Sequence, residues 1–386
     1  VPIWSTKFKV LLSIVLVVYL LAAAVKPVLA VADLAKSAAA LDLTELNRFI
    51  GTLDDDTAKF LPRLDLKAWG VTGPHWDLEA IGQQMLRYLL REIVFNLKLL
   101  SELLLLALAL AILQNMQHAF EAATVQQMAF AVCFLVVIGI VLNSFRVTFA
   151  IAQGAVSEMT VFMHAIIPVM FSLIAAAGGM TTTAIVHPLL ISAVGVVAGL
   201  VNTLIFPLIL FAGVLGLVNY LNEGFQIKKL AQLFKKTAIG IMGLAMAGFI
   251  GLVAIRGFAA TVADSTVLRT GKYFTKTFLP VVGSELADTL EMAVGCSVIL
   301  KSGLGMFGLG LVIVMVAFPL LKILAVGIIY NLTGALLQPL GNNRLADALE
   351  SVGETFLTLF GALAVVGLMF FIAIAILVGI ANYGVV

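Results

Sequence analysis

Two apolar runs in this chain are too long to cross a membrane once as ordinary helices. Thr183–Leu221 and Ser302–Leu340 each hold 39 residues, and Lys322 is the single charge within the second beyond its first turn. A helix of that length reaches about 58 Å at 1.5 Å per residue, roughly twice the ~30 Å hydrocarbon core of a bilayer. Proline removes a backbone donor and its ring crowds the preceding turn. The sequence therefore predicts two short helices in each run, meeting near Asn202–Pro207 in the first and near Pro319–Lys322 in the second. Backbone that breaks at membrane depth must be satisfied by protein or water.

Composition closes off the other classes. The 386 residues are 62% hydrophobic and 11% charged, with a mean hydropathy of +1.13. Soluble domains carry roughly 25% charge. Outer-membrane barrels need short alternating strands, whereas these apolar runs are continuous. The fold class is all-α, a polytopic transmembrane helical bundle. A net charge of +2 gives no reason to expect nucleic acid as a partner; the lipid bilayer is the expected surroundings. Cys133 and Cys296 sit inside apolar runs and read as small buried hydrophobes, with no disulfide or metal spacing.

At the N-terminus, Lys7 and Lys9 precede an apolar run from Val10 to Val25, then Pro27-Val28-Leu29-Ala30. This fits a signal peptide cleaved after Ala30 or an uncleaved signal anchor. Residues 31–75 form a polar, amphipathic region, extracytoplasmic if the signal is cleaved. An interfacial helix from Trp76 leads into a first span rich in leucine, and a second span covers Gln127–Ala150, with Arg146 near its end placed to snorkel.

The two overlong runs are related to each other. At a constant offset of 112 residues, Phe162, Pro168, Val169, Ser172, Ala175, Met180 and Val186 match Phe274, Pro280, Val281, Ser284, Ala287, Met292 and Val298. Further on, Phe206, Pro207, Leu208, Val214 and Asn219 match Phe318, Pro319, Leu320, Val326 and Asn331. Internal repeats of this kind are common in membrane proteins. The expected organisation is a signal segment at 1–30, the amphipathic region at 31–75, an interfacial helix plus two transmembrane helices at 76–156, and membrane repeats of proline-broken helices at 157–256 and 269–386. Four elements are expected in each copy.

The candidate functional positions are the breaks and the buried charges: Pro168, Pro207, Pro280, Gly283 and Pro319, with Asp288, Glu291, Lys301 and Lys322. Glu285, Asp288 and Glu291 fall at i, i+3 and i+6, so they share a third of a helix circumference. They fit either a water-filled path or an interfacial belt that compensates Arg269, Lys272 and Lys276. Lys301 reads as snorkelling from a helix end. Lys322, close behind Pro319, is expected to face another subunit, a carboxylate or a cavity. His164 and His187 are too far apart in sequence, without a third ligand, for a metal site. Neither a phosphate-binding GxxxxGK[ST] run nor a hydrolase motif is present, so no catalytic residue, cofactor or metal is expected. Small residues at four-residue spacing, Gly195/Gly199 and Gly243/Ala247/Gly251, point to close helix packing.

The block Phe278-Leu279-Pro280-Val281-Val282-Gly283, followed by Ala287-Asp288 and Cys296-x4-Lys301-x-Gly303-x-Gly305, resembles the stage III sporulation protein AE family of endospore-forming bacteria. Leu113-Gln114-Asn115, Ala129-Phe130-x-Val132-Cys133, and Ile167-Pro168 with Gly178-Gly179 extend the similarity upstream. The resemblance implies a multi-pass protein of the mother-cell membrane around the forespore. It implies work with the other proteins of the stage III sporulation A operon, including a cytosolic ATPase, and with a forespore membrane partner in a transenvelope channel or secretion complex. Homo-oligomerisation stays open. The alternatives are a secondary transporter that binds a small solute at broken helices, and an assembly scaffold without a pore.

Overall fold

A computed structural model describes residues 43–52, 78–116, 123–220, 227–252, 283–340 and 343–380. The signal segment, most of the amphipathic region and residues 253–282, with Pro280, lie outside the described residues. The described elements are helical throughout. A short helix α1 (Thr44–Gly51) is followed by α2 (Leu78–Phe95) and α3 (Leu97–Met116), then the long α4 (Ala123–Ala176) and α5 (Met180–Leu200). A π turn at Val201–Ile205 leads into α6 (Phe206–Val218). Then come α7 (Lys228–Leu252), α8 (Gly283–Leu337), a 3-10 turn at Gln338–Leu340, and α9 (Asn343–Ile380). Five segments are long and apolar enough to cross a membrane: Val132–Ala176, Met180–Val218, Lys228–Leu252, Gly295–Leu337 and Asn343–Gly379.

The expected proline breaks are not there. Pro168 lies inside α4, Pro188 inside α5 and Pro319 inside α8. Each costs its helix one hydrogen bond, but opening the helix in hydrocarbon would strand several backbone groups at once. Continuity is the smaller loss. At Asn202–Pro207 the disturbance is real but milder than a break. The chain widens into a π turn, in which the Phe206 N–H reaches back to the Val201 carbonyl. The wider turn accommodates the Pro207 ring immediately afterwards, a recognised cause of local helix distortion.

The chain does reverse at Ala177–Gly179, where Gly178 adopts φ 93°, a left-handed conformation open mainly to glycine. The equivalent positions 112 residues on are Leu290 and Glu291, and there α8 runs straight through. The two halves therefore differ in path, and the four-elements-per-copy division does not hold. Segments 279–300, 303–316 and 318–332 belong to one helix from Gly283 onward.

Glycines set the register of α8 against α9. A Cβ on Gly308 would lie 2.5 Å from Ile166 Cδ1 of α4 and 3.5 Å from Ile374 of α9. A Cβ on Gly367 would meet both methyls of Val316, at 2.7 and 2.9 Å, and one on Gly353 would meet Asn331 at 2.6 Å. Small residues let helix backbones approach closely where no aqueous driving force separates lipid from protein. The α6 helix packs on α9 in the same way, through Gly213 against Thr355 and Gly216 against Ser351. By contrast, Gly195, Gly199, Gly243 and Gly251 have nothing within 4 Å of an added Cβ. Four-residue spacing marked the wrong glycines for packing within the chain.

These contacts fix directions. Gly308 and Tyr330 of α8 meet Ile166 and Ser144 of α4, so α4 and α8 are antiparallel. The α9 helix runs with α4, as Phe145 touches Phe356 and Ile166 stands level with Ile374. The core lies along this α4–α8–α9 contact, with Phe162, Phe307, Phe356 and Phe370 fully buried. Cys296 is buried and Cys133 half-buried, both as free thiols.

Candidate functional site

One end of the bundle is polar and tied together. Lys235 of α7 pairs with Glu354 of α9 at 3.0 Å. The Arg344 Nε–H donates to the Tyr220 carbonyl at 2.6 Å, and the Lys228 N–H donates to Asn219 Oδ1 at 3.1 Å. Burial, and then the nearby carboxylates of Asp347, Glu350 and Glu354, push the Tyr220 hydroxyl above its usual value of 10.0. With Lys228, Lys229 and Lys236 exposed beside it, this end carries most of the described basic charge of the spanning hairpins.

At the opposite end lies Lys301, fully buried. It stands one helical turn before Gly305, whose Cα faces Val378 of α9 and Met170 of α4. Its Nζ has no hydrogen-bond partner among the described residues. The expectation that Lys301 snorkels from a helix end is therefore corrected. It is well inside α8, and glycines at 305 and 308 draw α4 and α9 too close for the side chain to escape. A buried amine without an acceptor is costly, so this end of the bundle holds an unmet demand for one.

The candidate positions do not gather in one place. Lys322 is half-buried one turn beyond Phe318, whose ring meets Tyr88 of α2 at 4.8 Å. It makes no ion pair among the described residues, and about 32 Å of helix separates it from Lys301. Pro168 sits on the exposed side of α4, while Pro207 and Pro319 are half-buried in separate helices. Gly283 opens α8, and Asp288 and Glu291 follow in its first turns, described by backbone alone. Pro280 lies outside the described residues. His187 stacks edge-on against Phe171 at 5.2 Å. Among the described residues, no group of three or more His, Cys, Asp or Glu side chains could hold a metal ion.

One polar feature escaped the sequence reading. Arg146 does not end a helix, because α4 continues for thirty residues beyond it. It belongs to an exposed row with Asn143, Gln153, Ser157, Glu158, His164 and Ser172. Spacing by threes and fours was the available signal, obscured once the helix was ended at Ala150.

Comparison with known proteins now adds identity to geometry. The family model for stage III sporulation protein AE matches residues 71–381. The chain belongs to the stage III sporulation protein AE family. It is 34% identical over 295 residues to the stage III sporulation protein AE of Bacillus subtilis (strain 168), an alignment that covers 76% of this chain and 74% of that one. No solved structure matches. The protein is thus a multi-pass membrane protein with a role in sporulation, and its associations are those of the sporulation machinery.

Proposed function

We propose that this protein is an integral membrane component of a transenvelope channel or secretion complex between mother cell and forespore, embedded in the mother-cell membrane. The observation that carries the proposal is the family match across 71–381, which spans every candidate membrane helix up to residue 379. Its partners are the other proteins of the stage III sporulation A operon, including a cytosolic ATPase, and a forespore membrane protein. The absence of a nucleotide-binding motif from the sequence fits a membrane part energised by a separate ATPase. It acts without catalysis of its own. The transporter alternative draws its solute site from discontinuous helices, and Pro168, Pro188 and Pro319 lie within continuous ones.

We further propose that the α5–α6–α7 and α8–α9 hairpins are copies of one unit. The α6 and α8 helices both run antiparallel to α9, and α7 returns along α6 through Lys228–Asn219 and Phe234–Phe211. The signal segment at 1–30 directs insertion. The functional test is affinity capture of the tagged full chain from membranes of sporulating cells. Recovery of the operon proteins and the ATPase is expected; capture of none of them overturns the complex.

A further inference from the structure

The charges of α7 and α9 stop at one level. Lys235 of α7 pairs with Glu354 of α9 at 3.0 Å, and beyond that pair residues 237–252 and 355–380 carry no charge. The latter alone make a helix of about 39 Å, enough to cross the ~30 Å hydrocarbon core. The uncharged α6 ends at the same level, where Asn219 accepts from the Lys228 N–H that opens α7. Exposed Arg146 of α4 stands there too, next to the Phe145 ring that touches Phe356. The Lys235–Glu354 pair therefore marks one boundary of the hydrocarbon, and the turns of α7 from Lys228 to Lys236 stand at headgroup depth.

Those turns carry more basic charge than the described chain uses. Glu354 takes Lys235, but Lys228, Lys229 and Lys236 are exposed and make no ion pair among the described residues. Asp347 and Glu350 at the start of α9 lie toward Tyr220, and Glu223 is the only acid in residues 219–254. At 100° per residue, Lys228, Lys229, Gln232, Lys235 and Lys236 share about 120° of the circumference, with Lys229 and Lys236 one above the other. Beside them Leu230 and Leu233 are 43% and 59% exposed. Deeper in the bilayer the same arc continues into Ile239, Gly243 and Ala247, all exposed. The α7 helix is also the least covered of the five spans, with 17% of its apolar window buried against at least 33% in each of the others.

We infer that this face of α7 binds an anionic phospholipid, its phosphate held by Lys229 and Lys236 with Lys228 at the edge, and its acyl chains laid over Ile239, Gly243 and Ala247. The inference goes beyond the channel reading and does not depend on it. A lipid carries its charge and its hydrocarbon in the same order along the membrane normal as α7 carries its lysines and its apolar surface. An acidic protein segment in water would meet the lysines and leave Leu230 and Leu233 uncovered. A zwitterionic lipid brings its own cation to the phosphate and gains less. Lysines on one face with leucines beside them are the pattern of interfacial helices that favour anionic membranes. Each lysine close to such a surface is worth about fivefold in binding.

The test uses the purified full chain in vesicles of equimolar phosphatidylcholine and phosphatidylglycerol, each lipid supplied in turn with a photoactivatable group on an acyl chain. Adducts are located by peptide mass. Two lysines at one phosphate give an expected preference of about 25-fold for phosphatidylglycerol over phosphatidylcholine on α7, and added salt should erode it because the amines are exposed. The triple variant Lys228→Gln, Lys229→Gln, Lys236→Gln leaves the Lys235–Glu354 pair in place. It should bring the two lipids within about twofold of each other, with phosphatidylcholine still labelling Ile239 to Ala247 as the sign of a folded, inserted helix. Lys98→Gln, an exposed lysine elsewhere, should change nothing. Equal labelling of the parent by both lipids, or a preference that survives the triple variant, overturns the site. Loss of the preference on adding excess glycerol phosphate would assign the lysines to a soluble anion and overturn the lipid as occupant. Failure of either lipid to label α7 would place protein on this face and overturn it as well.

Discussion

Gly367 and Gly361 of α9 offer a controlled measurement of how tightly the central hairpin is closed. Both are helix-interior glycines six residues apart, so alanine brings each the same propensity gain, about 1 kcal/mol. Their surroundings differ. A Cβ at Gly361 meets nothing within 4 Å, whereas at Gly367 it meets Val316 Cγ2 at 2.7 Å, Cγ1 at 2.9 Å and Cβ at 3.3 Å. Valine is stiff at χ1, and contact with its Cβ cannot be relieved by rotation, so α8 and α9 must separate. Overpacking of this kind costs about 1–3 kcal/mol. Because the propensity gain is shared, the difference in stability between Gly361→Ala and Gly367→Ala should equal that overpacking cost. Val316→Ala removes both offending methyls, so adding Gly367→Ala to it should be nearly neutral or stabilising. Thermal unfolding of the purified chain in detergent, for the four variants and the parent, reads both comparisons. If Gly367→Ala melts no lower than Gly361→Ala, or if Val316→Ala fails to rescue it, the hairpin is not closed through this contact.

Three further outcomes follow from particular residues. Lys301→Met removes a buried amine with no acceptor among the described residues at nearly constant volume, and should stabilise the protein by about 1–3 kcal/mol. A lower melting temperature would mean that the amine is held by an acceptor in the assembled fold. Gly178→Ala forces a side chain into the left-handed region at φ 93° and should cost about 1–2 kcal/mol, measured by the same melting assay; a neutral result would refute the turn. Tyr220 has its folded value raised above 10.0, so its contribution is full below that value and is lost as pH rises through the higher folded one. Tyr220→Phe should therefore show a smaller fall in melting temperature between about pH 9 and about pH 11 than the parent, and an equal fall would remove Tyr220 from the account.

Much of the architecture was legible because hydropathy is a strong signal and membrane spans are long. The helical class, the multi-pass character and the site of disturbance at Asn202–Pro207 all follow from runs and prolines. Helix continuity was not legible. Proline's penalty is calibrated in water, where an opened turn finds new partners, and in the bilayer no such partners exist. The helix end expected at Ala150 was also missed, since α4 runs on to Ala176. The glycines failed for another reason: spacing finds a stripe without saying which way it points. Gly195 and Gly199 share the spacing but meet open space, while Gly308 and Gly367 close the core.

The acidic start of α8 can now be explained by what the first half does at the same place. Opposite Glu285, Asp288 and Glu291 stand Leu173, Ala176 and Gly179. Leu173 is buried against the bundle, and two residues beyond Ala176 the chain folds back at Gly178. A glycine pair there permits the left-handed step. Leu290 and Glu291, in the equivalent positions, make that step costly, so α8 continues as a rod. Gly305 sits beside Met170 and Gly308 beside Ile166, which places Lys301 level with Ile174. The turns of α8 before residue 298 therefore have no α4 beside them and run on past the Ala177–Gly179 reversal. On the duplication proposed above, the two halves differ in path at this point, with Gly178–Gly179 in the reversal of one and Leu290–Glu291 inside the continuous helix of the other.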